Sequence, residues 1–119
     1  MPKLIALIKA KPELSREQFI DYYESNHAPL VRRLLPMISA YRRNYTTDAD
    51  WHSEHPMFDY NVVTELWFDD QSALDAFYAR IREPGVLAQI RADEANFLQS
   101  KATRMFEVEE HPHERGSNE

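Results

Sequence analysis

His27 is the strongest candidate for a reactive group, in the run Tyr22-Tyr23-Glu24-Ser25-Asn26-His27-Ala28-Pro29-Leu30. An imidazole, with an unperturbed pKa of about 6.5, is the side chain best suited to moving protons at neutral pH. At roughly 100° per residue His27 shares a helix side with Phe19, Tyr23 and Leu30, so it faces the apolar interior. Two readings stay open: a proton-transfer group at the end of a cavity, or a core-edge histidine bonded to a backbone carbonyl that Pro29 releases. Glu65 is the second candidate, because it alternates with Val63 and Trp67 and so places an ionisable group inside an apolar strand stripe. Burial would raise its pKa and suit a general acid or base, whereas pairing with Arg42 or Arg43 would lower it and make it structural. Tyr41, Tyr45 and Trp67 either wall a pocket for a flat apolar ligand or are ordinary core and dimer-face aromatics. A third cluster, Asp48, Asp50, His52, Glu54, His55 and Asp59, has two imidazoles but neither the spacing nor the helix of a zinc motif, and reads as a solvated loop.

Composition narrows these options. The chain of 119 residues has no Cys and two Gly, Gly85 and Gly116. Thiol nucleophiles, Cys-ligated metals and disulfides are excluded, as are glycine-rich phosphate loops. With 14 Lys+Arg against 20 Asp+Glu the net charge is −6, so the chain lacks the basic excess that nucleic acid or an anionic membrane surface would require. The apolar run at residues 4–8 is too short for a signal core or a membrane span, and the expectation is a cytoplasmic protein with no bound cofactor or metal.

The elements that must position these groups follow from periodicity. Residues 4–10 form an apolar run that suits a strand covered on both faces. Ser15-Arg16-Glu17-Gln18 fits a capping box, opening a helix whose Phe19, Tyr23, Leu30 and Leu34 recur at helical spacing. Pro29 predicts a break or kink at residues 26–28, with a last turn ended by Pro36. Residues 38–47 and 61–69 are rich in β-branched and aromatic residues and read as strands. Ser72 is the expected cap of a helix carrying Leu74, Phe77, Tyr78 and Ile81, and a further helical stretch holds Val86, Leu87, Ile90, Ala95, Phe97 and Leu98. Residues 101–110 complete the set as a strand. The order β-α-β-β-α-β predicts a ferredoxin-like α+β domain over residues 1–110, a four-stranded antiparallel sheet with helices on one face, followed by a polar, disordered tail at 111–119. Both sheet faces carry apolar residues while the helices cover one, so the pattern predicts a homodimer.

These residues also carry a family resemblance. Ser15-x-Glu17-x-Phe19-x-x-Tyr22-Tyr23-x-x-x-His27-Ala28-Pro29-Leu30, followed by Glu65-x-Trp67-Phe68-Asp69, resembles the EthD family of the dimeric α+β barrel superfamily over residues 3–109. The resemblance implies two sheets packed into a barrel and a pocket between each sheet and its own helices. It also implies cofactor-free chemistry, since several related barrels use a pocket histidine for proton transfer, and only His27 matches that role. The expectation is therefore a pocket protein for a small hydrophobic or aromatic metabolite, with His27 and Glu65 as its catalytic residues and Tyr23, Tyr41 and Trp67 shaping the pocket. General acid–base transfer, worth ~10²–10⁴-fold, suffices for isomerisation, cyclisation or dehydration of an activated molecule but not for ether cleavage. The alternatives are a non-catalytic carrier or accessory of a partner oxidoreductase, a haem protein with His27 as axial ligand, and a quinol-type monooxygenase.

Overall fold

The computed structural model describes residues 1–47 and 60–115. The acidic and histidine-bearing cluster at 48–59 therefore lies outside the described residues, as does the end of the tail. Four strands, β1 (Lys3–Ile8), β2 (Ala40–Tyr45), β3 (Val62–Trp67) and β4 (Arg104–Val108), make one sheet in the order β2-β3-β1-β4 with every neighbour antiparallel. Between β1 and β2 runs a helical arm of α1 (Arg16–Tyr22), a π-helical turn (Tyr23–His27) and α2 (Ala28–Leu34). Between β3 and β4 lie α3 (Gln71–Ile81) and α4 (Pro84–Glu94). The strands are shorter than their apolar runs, because pairing with a neighbour, not residue type, ends them.

The pleat divides the sheet into two unlike faces. Leu4, Ala6 and Ile8 of β1 and Val62, Thr64 and Leu66 of β3 are buried beneath the helices. Their alternates Ile5, Leu7, Val63, Glu65 and Trp67 stay half-buried on the other face. Register sets the cross-strand neighbours: Glu65 lies opposite both Ile5 and Arg42, and Ile5 lies opposite Phe106. Under the helices an aromatic group made of Phe19, Tyr23, Phe68, Phe77 and Phe97 forms the densest part of the core, each ring no more than 1% exposed. Rings of this size bury the largest apolar areas a side chain can offer.

The capping box is present in full: Gln18 N–H donates to Ser15 Oγ at 3.1 Å, and Ser15 N–H donates to Gln18 Oε1 at 2.8 Å. At α3 the cap is Asp70 instead of Ser72, with Asp70 Oδ1 accepting from Ala73 N–H at 2.8 Å. Asp70 has the extended backbone of a cap residue, at φ −155° and ψ 177°, whereas Ser72 already lies inside the first turn.

The larger departure is at Pro29. The chain does not break at residues 26–28: Tyr22, Tyr23, His27 and Ala28 all have right-handed helical backbone, and the arm runs on to Leu34. Instead the helix widens, with Ala28 N–H donating to the carbonyl of Tyr23, five residues back. A prolyl ring in a regular helix meets the carbonyl four residues earlier and leaves it without a donor. A π turn just ahead of Pro29 relieves that clash at the carbonyl of Ser25 without ending the helix. One consequence is that Val31 and Leu34 are buried while Leu30 stays half-exposed.

Removing the cap oxygen in Ser15→Ala is expected to lower stability by about 1 kcal/mol, since an orphan amide loses its acceptor. Ser25→Ala, at an exposed position inside the helical arm, is expected to be within about 0.5 kcal/mol of wild type. Urea denaturation of the two variants side by side checks the contrast.

Candidate functional site

The π turn places Tyr23 and His27 on the inner side of the arm, one turn apart, both at most 4% exposed. Their rings meet edge to face, with centroids 5.4 Å apart, and Phe97 packs against both. A buried imidazole must find partners for its ring nitrogens. His27 Nδ1 lies 2.8 Å from Asp93 Oδ2, on the last turn of α4. The other oxygen of Asp93 accepts from the Tyr22 hydroxyl at 2.6 Å, and Asn96 Nδ2 donates to that hydroxyl at 2.8 Å. The carboxylate is thus held from both sides, and it fixes the imidazole with its Nδ1 proton toward Asp93.

That leaves Nε2 without a hydrogen-bond partner among the described residues. Trp67 Nε1 is the one fully enclosed, unpartnered side-chain nitrogen or oxygen among the described residues, so Nε2 of His27 keeps access to open space. The space is a cavity of about 140 Å³ between the sheet and the helices. Ala6, Ile8 and Leu66 line it from the sheet, Val31, Phe77 and Ile90 from the helices, and the partly exposed Met105 from the edge strand. Its polar groups are few: His27, Tyr23, Tyr41, Thr64, Thr103 and Glu94. Ligand sites of drug-sized molecules run to roughly 300–1,000 Å³, whereas a cavity of ~150 Å³ accepts benzene, so this one fits a single ring.

Opposite His27 the hydroxyls of Tyr23, Tyr41 and Thr64 form a small array. Tyr23 Oη lies 3.1 Å from Tyr41 Oη and 2.9 Å from Thr64 Oγ1. Burial pushes the pKa values of both tyrosines up, so the array is made of neutral hydroxyls able to donate to or accept from a ligand oxygen. Behind them Arg43 grips Glu24 with two nitrogens, at 2.9 and 2.6 Å, and Tyr45 donates to the same carboxylate. Arg43, with Tyr45 adding to it, holds the Glu24 carboxyl below its ordinary value against the opposing effect of burial.

The structure therefore brings together His27, Tyr23 and Tyr41 and separates them from Glu65 and Trp67. Both of the latter lie on the opposite face of the sheet, because odd-numbered residues of β3 point away from the helices. Glu65 takes Lys3 Nζ at 2.6 Å and Asn44 Nδ2 at 3.0 Å, and the ammonium sits 4.2 Å from the centroid of the Trp67 ring. Lys3 first, then Asn44, holds the Glu65 carboxyl below its ordinary value, so it is a paired carboxylate and not an acid poised for catalysis. Its close ionic partner comes from β1; Arg42, opposite it on β2, adds a weaker pull, while the pleat places Arg43 beside Thr64 on the helix side, where it pairs with Glu24.

Asp93, Glu94, Thr64 and the Tyr22 hydroxyl are parts of the site that sequence reasoning did not single out. Asp93 and Tyr22 carry no periodic signal for a joint role, being 71 residues apart. Glu94 did carry one, because Val86, Ile90 and Glu94 fall at four-residue steps on one face of α4, which puts a carboxyl in an apolar stripe. Among the described residues no group of three or more His, Asp or Glu could hold a metal ion, and no helix is long and apolar enough to cross a membrane.

Burial pushes the His27 pKa below its ordinary 6.5, outweighing the opposing pull of Asp93. Neutral imidazole is therefore the resting form at neutral pH. Stability contributed by this neutral ring is whole above pH 6.5 and is lost as pH falls through the lower midpoint of the folded state, because the unfolded chain then binds the extra proton. An NMR titration of the histidine rings is expected to show His27 with a midpoint below 6.5. In Asp93→Asn the midpoint moves lower still, since the group that raises it is gone. A His27 midpoint above 6.5 in wild type contradicts this assignment.

Comparison with known proteins adds the following. The EthD domain family matches residues 11–101 of the chain. An EthD family protein from Bacillus halodurans superposes with a TM-score of 0.63 at 21% identity, covering 93% of this chain and 100% of that one. A cofactor-independent oxygenase from Streptomyces nogalater, in a mutant form, gives 0.57 at 13% identity over 94% of each chain. A dimeric ferredoxin-like protein of unknown function from Bacteroides fragilis gives 0.56 at 14% identity over 91% of this chain and 94% of that one. At these identities the structural neighbours share the fold. No curated protein matches the chain.

Proposed function

The chain belongs to the EthD domain family, and on that premise we propose that its cavity binds a small hydrophobic or aromatic molecule and moves a proton on it without a cofactor. The observation that carries this reading is the placement of His27: its ring lines the cavity, Nδ1 is committed to Asp93, and Nε2 has no hydrogen-bond partner among the described residues. A neutral imidazole so held presents a lone pair at Nε2 and acts as a general base. It returns the proton as a general acid in the second half of the cycle. Tyr23, Tyr41 and Thr64 hold an oxygen of the ligand, and the apolar floor and walls hold its ring. Isomerisation, cyclisation and dehydration all reduce to such proton movements and need no electron acceptor. That a cofactor-independent oxygenase occurs among the fold neighbours supports the cofactor-free reading by analogy.

Asp93 is a positioning residue: with Asn in its place, the side-chain amide donates to Nδ1, the proton sits on Nε2 and the base is lost. This is the logic by which a catalytic triad's aspartate sets the imidazole tautomer. Cyclohex-3-en-1-one, whose conjugation to cyclohex-2-en-1-one is followed by ultraviolet absorbance, is a one-ring probe for the proposed chemistry. Wild type is expected to accelerate this isomerisation, and His27→Gln to lose ~10²–10⁴ of the rate with binding retained. A His27→Gln variant with undiminished rate, or wild type no faster than buffer while still binding the ketone, rejects the acid/base role in favour of a carrier or an accessory to an oxidoreductase.

The second sheet face is the surface for another copy of this chain. Ile5, Leu7, Val63 and Trp67 form its half-buried apolar part, Phe106 is 43% exposed beside them, and a dimeric protein is among the fold neighbours. Glu65, Lys3 and Trp67 are assigned to that contact. Sedimentation is expected to give a dimer for wild type and a monomer for Trp67→Arg, and a wild-type monomer at micromolar concentration overturns this assembly.

A further inference from the structure

We infer that Glu94 is a second proton-transfer group, the acid partner of His27 across the same cavity, and that the pair takes a one-ring carbonyl compound with an acidic C–H beside the carbonyl. This inference rests on the acid/base reading of His27 and adds a group that can transfer a proton to the ligand oxygen, beside the Tyr23, Tyr41 and Thr64 hydroxyls that bind it. A base alone can only generate an enolate, whose charge in an apolar cavity is costly unless a donor meets the oxygen.

Glu94 has the placement and the freedom for that part. It lines the cavity with His27, and its carboxyl makes no hydrogen bond or ion pair among the described residues. Its neighbour Asp93 has both oxygens committed, one to His27 and one to Tyr22. Two adjacent carboxyls on the last turn of α4 thus have separate tasks, one fixing the imidazole and the other left toward the cavity. Consistent with this placement, burial raises the pKa of Glu94 above its ordinary 4.5, opposed by Arg91 and reinforced by Asp93. The other polar groups on the cavity from facing elements are the Tyr23, Tyr41, Thr64 and Thr103 hydroxyls and His27 itself. Burial lowers the His27 pKa and raises that of Glu94, so both shifts favour the state in which imidazole and carboxyl are neutral together.

The step balances without an external reagent. His27 Nε2 takes the proton from the carbon beside the carbonyl, and the Glu94 proton passes to the carbonyl oxygen, giving a neutral dienol. Glu94 then recovers its proton from that oxygen while His27 delivers its own to the far carbon of the double bond. The net change is a 1,3-proton shift with no change in oxidation state. A cavity of about 140 Å³ limits the compound to one ring.

The test uses full-length protein and cyclohex-3-en-1-one, with Glu94→Gln, Glu94→Asp and His27→Gln compared to wild type. Glu94→Gln keeps the shape and removes the transferable proton, and circular dichroism and melting temperature verify its fold. The expected result is a rate loss of at least tenfold in Glu94→Gln, disappearance of the alkaline limb of its pH–rate profile, and partial recovery in Glu94→Asp. A Glu94→Gln rate and profile equal to wild type, with the rate still lost in His27→Gln, overturns the role of Glu94 and leaves His27 standing. A wild-type rate equal to buffer overturns both. If Glu94→Gln fails to fold, the carboxyl carbon of Glu94 in ¹³C-labelled wild type replaces it. A titration midpoint above 4.5 that moves on saturation with the ketone supports the proposal, and an unresponsive resonance overturns it.

Discussion

Burying an imidazole under a helix costs free energy unless its N–H finds an acceptor that stays in place. The bond from His27 Nδ1 to Asp93 meets that constraint, and much of the helical layer is organised around it. It ties the arm between β1 and β2 to α4, which lies far along the chain. Tyr22, its hydroxyl held in turn by Asn96, braces the carboxylate, and the Phe97 ring packs against Tyr22, Tyr23 and His27. Because the acceptor is a carboxylate, the ring is fixed in one orientation and one tautomer while it lines the cavity.

Pro29 shapes the same region through the backbone. A helix that ended there would place His27 on a loop, where its ring would be wet and its direction loose. The π turn keeps the arm continuous and carries Tyr23 and His27 on its inner side, so the hydroxyl array and the imidazole share a rigid element. Sites held on helices and strands keep tighter geometry than sites held on loops. The single-residue excess of the π turn is thus a packing solution for a proline and a positioning device for two side chains.

The strand β3 shows how sharply a pleat sorts chemistry. Thr64 and Glu65 are neighbours in the chain, yet Thr64 joins the hydroxyl array under the helices while Glu65 joins Lys3, Asn44 and Trp67 on the other side. The first face has neutral polar groups around an apolar cavity. The second has an ion pair set in an apolar surface, with the buried Trp67 Nε1 lacking a partner among the described residues.

Sequence by itself determined the order of elements, the capping box at Ser15 and Gln18, the inward direction of Tyr23 and His27 and the apolar character of both sheet faces. Those features rest on local rules: helical and strand periods, capping chemistry and side-chain alternation act within a few residues. The same rules placed Glu65 and Trp67 on one stripe of β3, but could not say which stripe faced the helices, because both stripes are apolar. Only tertiary structure decided that, along with the continuity of the helix through Pro29 and the pairing of His27 with a carboxylate 66 residues away. The physical reason is common to all three. Each depends on what packs against a residue from a distant part of the chain, and periodicity in one segment carries no information about the partner that a folded neighbour will supply.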